Sequence, residues 1–211
     1  ALYERTTCLG RNGSVEALGE ASIRHSYMDK NFHTWMLGLA AQWLGVNQTQ
    51  ANSVAPILIS EEQGRHKSTF CRMLMPPQLA RYYSDNLKLT AQGNPERLLA
   101  EMGLLNMDEF DKFGAQKMPL LKNLMQMSSL NICKAYQKNF RSLPRIASFI
   151  GTSNRTDLLC DPTGSRRFIC IEAEHDIDCT GIEHSQIYAQ LKEELLAGAR
   201  HWFNKEEEHA L

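Results

Sequence analysis

The chain has 211 residues, with 23 basic and 24 acidic side chains and a formal net charge of −1. It is long enough to bury the core of one α/β domain, and too evenly charged for diffuse attraction to a polyanion, so any nucleic-acid contact must come from a local patch. No apolar run approaches membrane-spanning length and no signal peptide is visible; the six cysteines, Cys8, Cys71, Cys133, Cys160, Cys170 and Cys179, lack C-x-x-C spacing and neighbouring His pairs, which argues against zinc and predicts reduced thiols in a cytoplasmic protein.

In chain order, the start at Ala1 without Met is expected of an excised fragment, and the polar segment from Arg11 to Glu20 is expected to be a loop. Phe32, Trp35, Met36, Leu39, Ala40, Trp43 and Leu44 then recur at helical spacing, which predicts an amphipathic helix with its tryptophans in the core. Asn47 to Ser53 reads as the connection to a sheet. The expected division is a helical subdomain over 1–53 and an α/β, parallel-sheet core over 54–211.

The first strand contains Ile57, Leu58 and Ile59. It runs through Ser60, Glu61, Glu62, Gln63, Gly64, Arg65 and His66 into Lys67, Ser68 and Thr69 at a helix start. Strand, loop and Lys-Ser-Thr helix start form the pattern of a phosphate-binding loop, in which backbone N–H groups cradle phosphate oxygens. A Lys then neutralises the phosphates, and a Ser hydroxyl takes a magnesium position. Those side chains are Lys67 and Ser68, and the implied ligands are ATP and Mg2+. Glu61 and His66 stand where the usual pattern has glycine, so phosphate crowding and positive-φ strain are expected there. His66 can either donate to a phosphate or obstruct the loop. Pro76 and Pro77 stop the helix, a short strand follows near Tyr82 to Ser84, and 92–95 is expected to be a loop.

Leu104 to Met107 predicts a buried strand delivering Asp108 and Glu109 to its C-terminal edge. Asp108 is expected to hold magnesium through its water shell, and Glu109 to orient or deprotonate the attacking water. Alone, the pair favours the reading of a solvated acidic turn, since Asp111 and Lys112 continue the polarity; the phosphate-loop pattern upstream at this spacing turns it to the functional reading. Pro119 to Met127 predicts a helix. From Lys112 to Thr156 there is no Asp or Glu, but Lys112, Lys117, Lys122, Lys134, Lys138, Arg141, Arg145 and Arg155 are present. Within this stretch, Leu130 to Arg141 mixes basic and aromatic residues like a β-hairpin. It can be an ordinary surface hairpin, or a DNA contact through Lys134, Tyr136, Lys138, Arg141 and Arg145.

Ile146 to Ser153 predicts a strand ending at Asn154, whose amide can meet a γ-phosphate or the lytic water. Arg166 and Arg167 precede the strand beginning at Phe168, and a guanidinium suits transition-state charge, often across a subunit boundary. Ile187, Leu191, Leu195 and Trp202 mark a last helix, with Lys205 to His209 as a solvated tail.

In order along nearly the whole chain, several blocks resemble the P-loop ATPase domain of the virulence-associated protein E family, related to the superfamily 3 helicases of phages and plasmids. They are Trp35-Met36-Leu37-Gly38, Gln42-Trp43-Leu44, Gln63-Gly64 with Lys67-Ser68-Thr69-Phe70, Asn106 to Asp111, Phe149 to Asn154 and Asp161 to Phe168. The resemblance implies a P-loop NTPase fold of AAA+ type and an ATPase engine of DNA replication or mobile elements. It further implies a homo-oligomer, a hexamer being one such ring, often joined to a primase-like domain. A hairpin at the position of 130–141 would grip DNA, expected to be single-stranded. A degenerate loop serving DNA binding or assembly without turnover is the alternative that Glu61 and His66 favour.

Overall fold

A computed structural model describes residues 15–46, 49–90, 93–133, 140–155 and 165–211. Helix α1 (Val15–Leu44) leads to β1 (Ala55–Ile59), α2 (Lys67–Met73), a 3-10 turn (Pro77–Tyr82) and β2 (Tyr83–Ser84). Then come α3 (Pro95–Glu101), β3 (Leu104–Met107), α4 (Met118–Gln126), β4 (Ser129–Cys133), β5 (Phe140–Pro144), β6 (Ser148–Ser153), β7 (Phe168–Glu172), α5 (His184–Leu196) and α6 (Lys205–Ala210). Five strands form one sheet in the order β2-β3-β6-β1-β7, and β4 pairs only with β5. Every pairing in the five-stranded sheet is parallel. This is the α/β parallel core expected, with a helix in front of it.

The strands are apolar on both sides because both faces are covered. On one face, Leu58, Leu104, Ile150 and Ile169 join Trp35 and Leu39 of α1, Phe70 of α2 and Leu74 just after it, and Leu191 and Leu195 of α5. On the other, Ile57, Leu105, Met107, Phe149 and Phe168 pack with Leu99 of α3 and Leu121, Leu124 and Met125 of α4. The period-two alternation of the strands thus sends neighbouring residues into different cores. Helix α1 also fixes the start of β6. Asn52 donates through Nδ2 to the Trp35 carbonyl at 3.1 Å and to Ser148 Oγ at 3.0 Å. A Cβ at Gly38 would lie 2.8 Å from Asn52 Cγ, so glycine leaves the room this side chain needs.

Four local expectations are corrected. Residues from Val15 to Glu20 are helical, because Glu16, Ala17 and Leu18 are strong helix formers that offset Gly19. Residues 93–95 do not all lie in a loop, since Pro95 opens α3 at a first-turn position, where its fixed φ and missing N–H suit a helix. The last helix ends at Leu196 and leaves Trp202 outside it. The tail from Lys205 is a helix, not a frayed end: Asn204 Oδ1 accepts the Glu207 N–H at 2.8 Å while Glu207 Oε2 accepts the Asn204 N–H at 3.0 Å, a reciprocal cap. Arg200 pairs with Glu207, and Ser53 Oγ donates to Glu208 Oε1 at 3.2 Å, tying the tail to the approach of β1.

Candidate functional site

Strand β1 is buried throughout and ends at the loop 60–66. The Ser60 N–H donates to the Ser153 carbonyl at 3.2 Å, so sheet bonding extends one step beyond β1 before the chain turns. Gly64 turns at φ 88° with open space where a side chain would stand, and His66 turns at φ 60° immediately before α2. The His66 conformation costs an L-residue roughly 1–2 kcal/mol, which a glycine there would avoid. Its carbonyl accepts the Phe70 N–H at 2.8 Å and so starts the helix. Glu62 does not point uncompensated at the loop: Arg65 Nη2 lies 2.5 Å from Glu62 Oε2, and Nη1 lies 3.2 Å from Asp176 Oδ1. Glu61, Gln63 and Thr69 are exposed around the loop.

Lys67, the first residue of α2, is 8% exposed. Its Nζ donates to the Ser60 carbonyl at 3.2 Å, the Glu62 carbonyl at 3.3 Å and Asn154 Oδ1 at 3.0 Å. Burial lowers its pKa, with the Asp108 carboxylate opposing that shift. The ammonium therefore closes a ring between its own loop and the end of β6. A bound phosphate would have to replace the two loop carbonyls.

The acids arrive on the neighbouring strand. Met107 is the last residue of β3 and pairs with Gly151 of β6, which sets Asp108 beside Thr152. Asp108 Oδ1 accepts from Ser68 Oγ at 2.8 Å and from Thr152 Oγ1 at 2.7 Å. Glu109 takes φ 51°, its N–H donates to Thr152 Oγ1 at 3.3 Å, and its carboxylate pairs with Lys112 at 2.6 Å. Asp111 Oδ1 accepts from Ser153 Oγ at 3.1 Å and the Asn154 N–H at 3.5 Å. Lys67, Ser68, Asp108, Glu109 and Asn154 thus meet at the C-terminal edge of three adjacent strands, the place where parallel sheets bind ligands. Thr152 and Asp111 were not anticipated from sequence. The block Gly151-Thr152-Ser153-Asn154 carried the signal, in that three consecutive polar residues at a buried strand end need partners.

The donor chemistry suits a hard divalent cation. Ser68 and Asp108 are both oxygen donors, and Ser68 Oγ can give its proton to Asp108 while keeping lone pairs for a metal. Among the described residues, no group of three or more His, Cys, Asp or Glu is placed to hold a metal by itself. Magnesium bound by one or two protein oxygens, waters and phosphates needs no such group.

The remaining candidates lie elsewhere. Phe168 pairs with Ala55 and Glu172 with Ile59, so Arg166 and Arg167 precede β7 at the sheet edge opposite the loop. Five residues at about 3.3 Å each put them roughly 16 Å away along the strands, beyond reach of a phosphate on their own loop. Arg167 is 7% exposed; burial, then the adjacent Arg166 charge, lowers its pKa, while Glu208 opposes the shift. Arg166 is exposed.

The candidate DNA segment divides. Strands β4 and β5 are antiparallel with Cys133 opposite Phe140, the pairing of a hairpin, and Arg141 is exposed. Lys134, Tyr136 and Lys138 lie outside the described residues.

Arg145 is corrected. It is 3% exposed, and donates through Nε to the Ala147 carbonyl at 2.6 Å and through Nη2 to the Asn52 carbonyl at 3.0 Å. Its Nη1 donates to the carbonyls of Leu124 at 3.2 Å and Met125 at 2.5 Å. Burial pushes its pKa down to about 9, so it stays charged at pH 7, but as a core clamp and not a phosphate contact.

Residues 17–211 match the virulence-associated protein E-like domain. No curated protein matches the chain. Solved structures similar to it include two of the NrS-1 C-terminal region in apo form. The A form has 19% identity and a TM-score of 0.49, covering 86% of this chain and 43% of that one. The other has 18% identity and a TM-score of 0.49, covering 86% and 44%. The chain therefore spans less than half the length of these structures. No described helix is long and apolar enough to cross a membrane.

Proposed function

The chain belongs to the virulence-associated protein E-like family, and from that premise we propose that it is an ATP-hydrolysing engine domain acting on DNA. One observation carries the reading: Lys67 Nζ stands 3.0 Å from Asn154 Oδ1, and Ser68 Oγ stands 2.8 Å from Asp108 Oδ1. A phosphate-neutralising cation, a magnesium-side hydroxyl and carboxylate, and a sensing amide thereby share one sheet edge. Lys67 exchanges its bonds to the Ser60 and Glu62 carbonyls for phosphate oxygens, and Asn154 keeps its head group aligned. Ser68 and Asp108 would hold magnesium, which would supply neutralisation of the charge that develops on the phosphate oxygens. Glu109 accepts a proton from water as its oxygen bonds to the γ-phosphorus. The bond from that phosphorus to the ADP oxygen breaks, giving ADP and phosphate.

The distance of Arg166 and Arg167 from their own loop supports an oligomer in which the exposed Arg166 completes a neighbour's site, while Arg167 is buried in its own subunit. Mixing Arg166→Ala with Lys67→Ala protein, each inactive alone, is expected to restore part of the turnover at mixed interfaces. Absence of rescue in oligomers shown to exchange subunits would contradict action across the boundary. For DNA, the 130–141 hairpin is the local basic patch that the near-neutral net charge requires. Replacing Lys134 and Lys138 with Ala is expected to lower the slope of log affinity against log salt by roughly 1–2 on single-stranded DNA. An unchanged slope and affinity would remove the hairpin from the interface.

A further inference from the structure

Resting on that reading of the site, we propose that Thr152 is a positioning residue whose single hydroxyl sets both acids of the engine. Nothing in the basic chemistry of ATP hydrolysis requires a threonine here, and its oxygen is already engaged by Asp108 and the Glu109 N–H. Its role follows from what it holds.

A hydroxyl has one proton and two lone pairs. Thr152 Oγ1 gives the proton to Asp108 Oδ1 at 2.7 Å and receives the Glu109 N–H at 3.3 Å. Donation to one acid and acceptance from the next fix the hydroxyl rotor in one orientation. The side chain is itself held: Thr152 is 3% exposed, lies in the strand between β3 and β1, and its Cα stands beside Leu58. Its β-branch stiffens χ1 further.

Both acids need such a hold. The β3–β6 ladder ends at Met107, so the Glu109 amide has passed the last sheet partner, and the Thr152 hydroxyl takes the place of a strand carbonyl. Glu109 also sits at φ 51°, a conformation that persists in a non-glycine residue only when its surroundings enforce it. Asp108 Oδ1 is shared between Thr152 and Ser68. The Thr152 bond therefore decides which carboxylate oxygen faces the Ser68 hydroxyl and how the other is presented. Register between the magnesium side and the water side of the site is set from β6, by one oxygen atom.

The test compares Thr152→Val, which keeps the shape and removes the hydroxyl, Thr152→Ala, which removes both, and Thr152→Ser, which keeps the hydroxyl. A non-hydrolysable ATP analogue is titrated at several magnesium concentrations, amide exchange is followed at Glu109, and thermal unfolding confirms that each variant is folded. A hydrogen bond to a charged group contributes enough to shift binding on the order of 10-fold. Val and Ala are expected to raise the half-saturating magnesium concentration by about that factor and to speed exchange at Glu109, with metal-free analogue binding unchanged. Ser is expected to stay near wild type in both. Wild-type magnesium dependence and Glu109 protection in Val or Ala would overturn the proposal, as would a Ser variant shifted as far as Val. If the wild type itself binds no magnesium–nucleotide, the functional reading fails and the role of Thr152 in it fails too. Binding by the wild type with no shift in Val or Ala sinks the Thr152 inference alone.

Discussion

Glu109→Gln is expected to bind ATP as tightly as the wild type and to turn it over about 100- to 10,000-fold more slowly, the range that loss of a general base produces. The substitution keeps the side-chain shape and the backbone N–H that meets Thr152 Oγ1, so the φ 51° turn and the position of Asp108 persist. What it removes is the carboxylate that accepts the proton. It also removes the partner of Lys112, whose pKa is raised chiefly by its hydrogen bond to Glu109. Because that pair lies on the surface, its loss leaves stability near wild type. Single-turnover kinetics with a parallel binding titration separates the two effects. Unchanged turnover would make the acid pair structural, while lost binding would show that Glu109 supports the nucleotide and not the water.

Arg145→Met is expected to lower folding stability by about 3 kcal/mol or more, because several buried carbonyls lose a charged donor at roughly 1–3 kcal/mol each. The carbonyls of Asn52, Leu124, Met125 and Ala147 lose the guanidinium as a donor at once, and methionine supplies none in return. These carbonyls come from the approach to β1, the end of α4 and the start of β6, so the loss is felt at three joints of the fold. Urea denaturation reads the change as a lower midpoint with an unchanged slope. A loss under about 1 kcal/mol, accompanied by weaker DNA binding, would return Arg145 to the nucleic-acid surface.

Arg145 also marks where sequence reading stopped. In a run of eight basic residues without an acid, charge alone does not distinguish a side chain facing DNA from one turned into the core. That difference depends on helix C-terminal carbonyls about 20 residues away in the chain. By contrast, the strands were legible because a parallel strand covered on both faces is a largely apolar run, as in Ile57 to Ile59 and in Leu104 to Met107, where Asn106 is the one polar residue. Their order was not, since nothing local in β6 says that it inserts between β3 and β1. The same limit applied at the site. Lys67, Ser68 and Asp108 stand in recognisable local contexts, whereas Thr152 and Asp111 matter through partners more than 40 residues away. The Asn204–Glu207 cap was legible in principle, its spacing being that of a capping box, but the charge run from Lys205 to Glu208 masked it.

The central claim is that Lys67 and its loop hold a nucleotide triphosphate with magnesium, and titration of wild type and Lys67→Ala with ATP, with and without Mg2+, tests it most directly. Wild type is expected to bind in a magnesium-dependent manner. The variant is expected to bind roughly 100-fold more weakly or not at all, because a buried triphosphate loses its main point charge, worth about 3 kcal/mol. Equal affinity in the two folded proteins, or no binding by the wild type, would contradict the account.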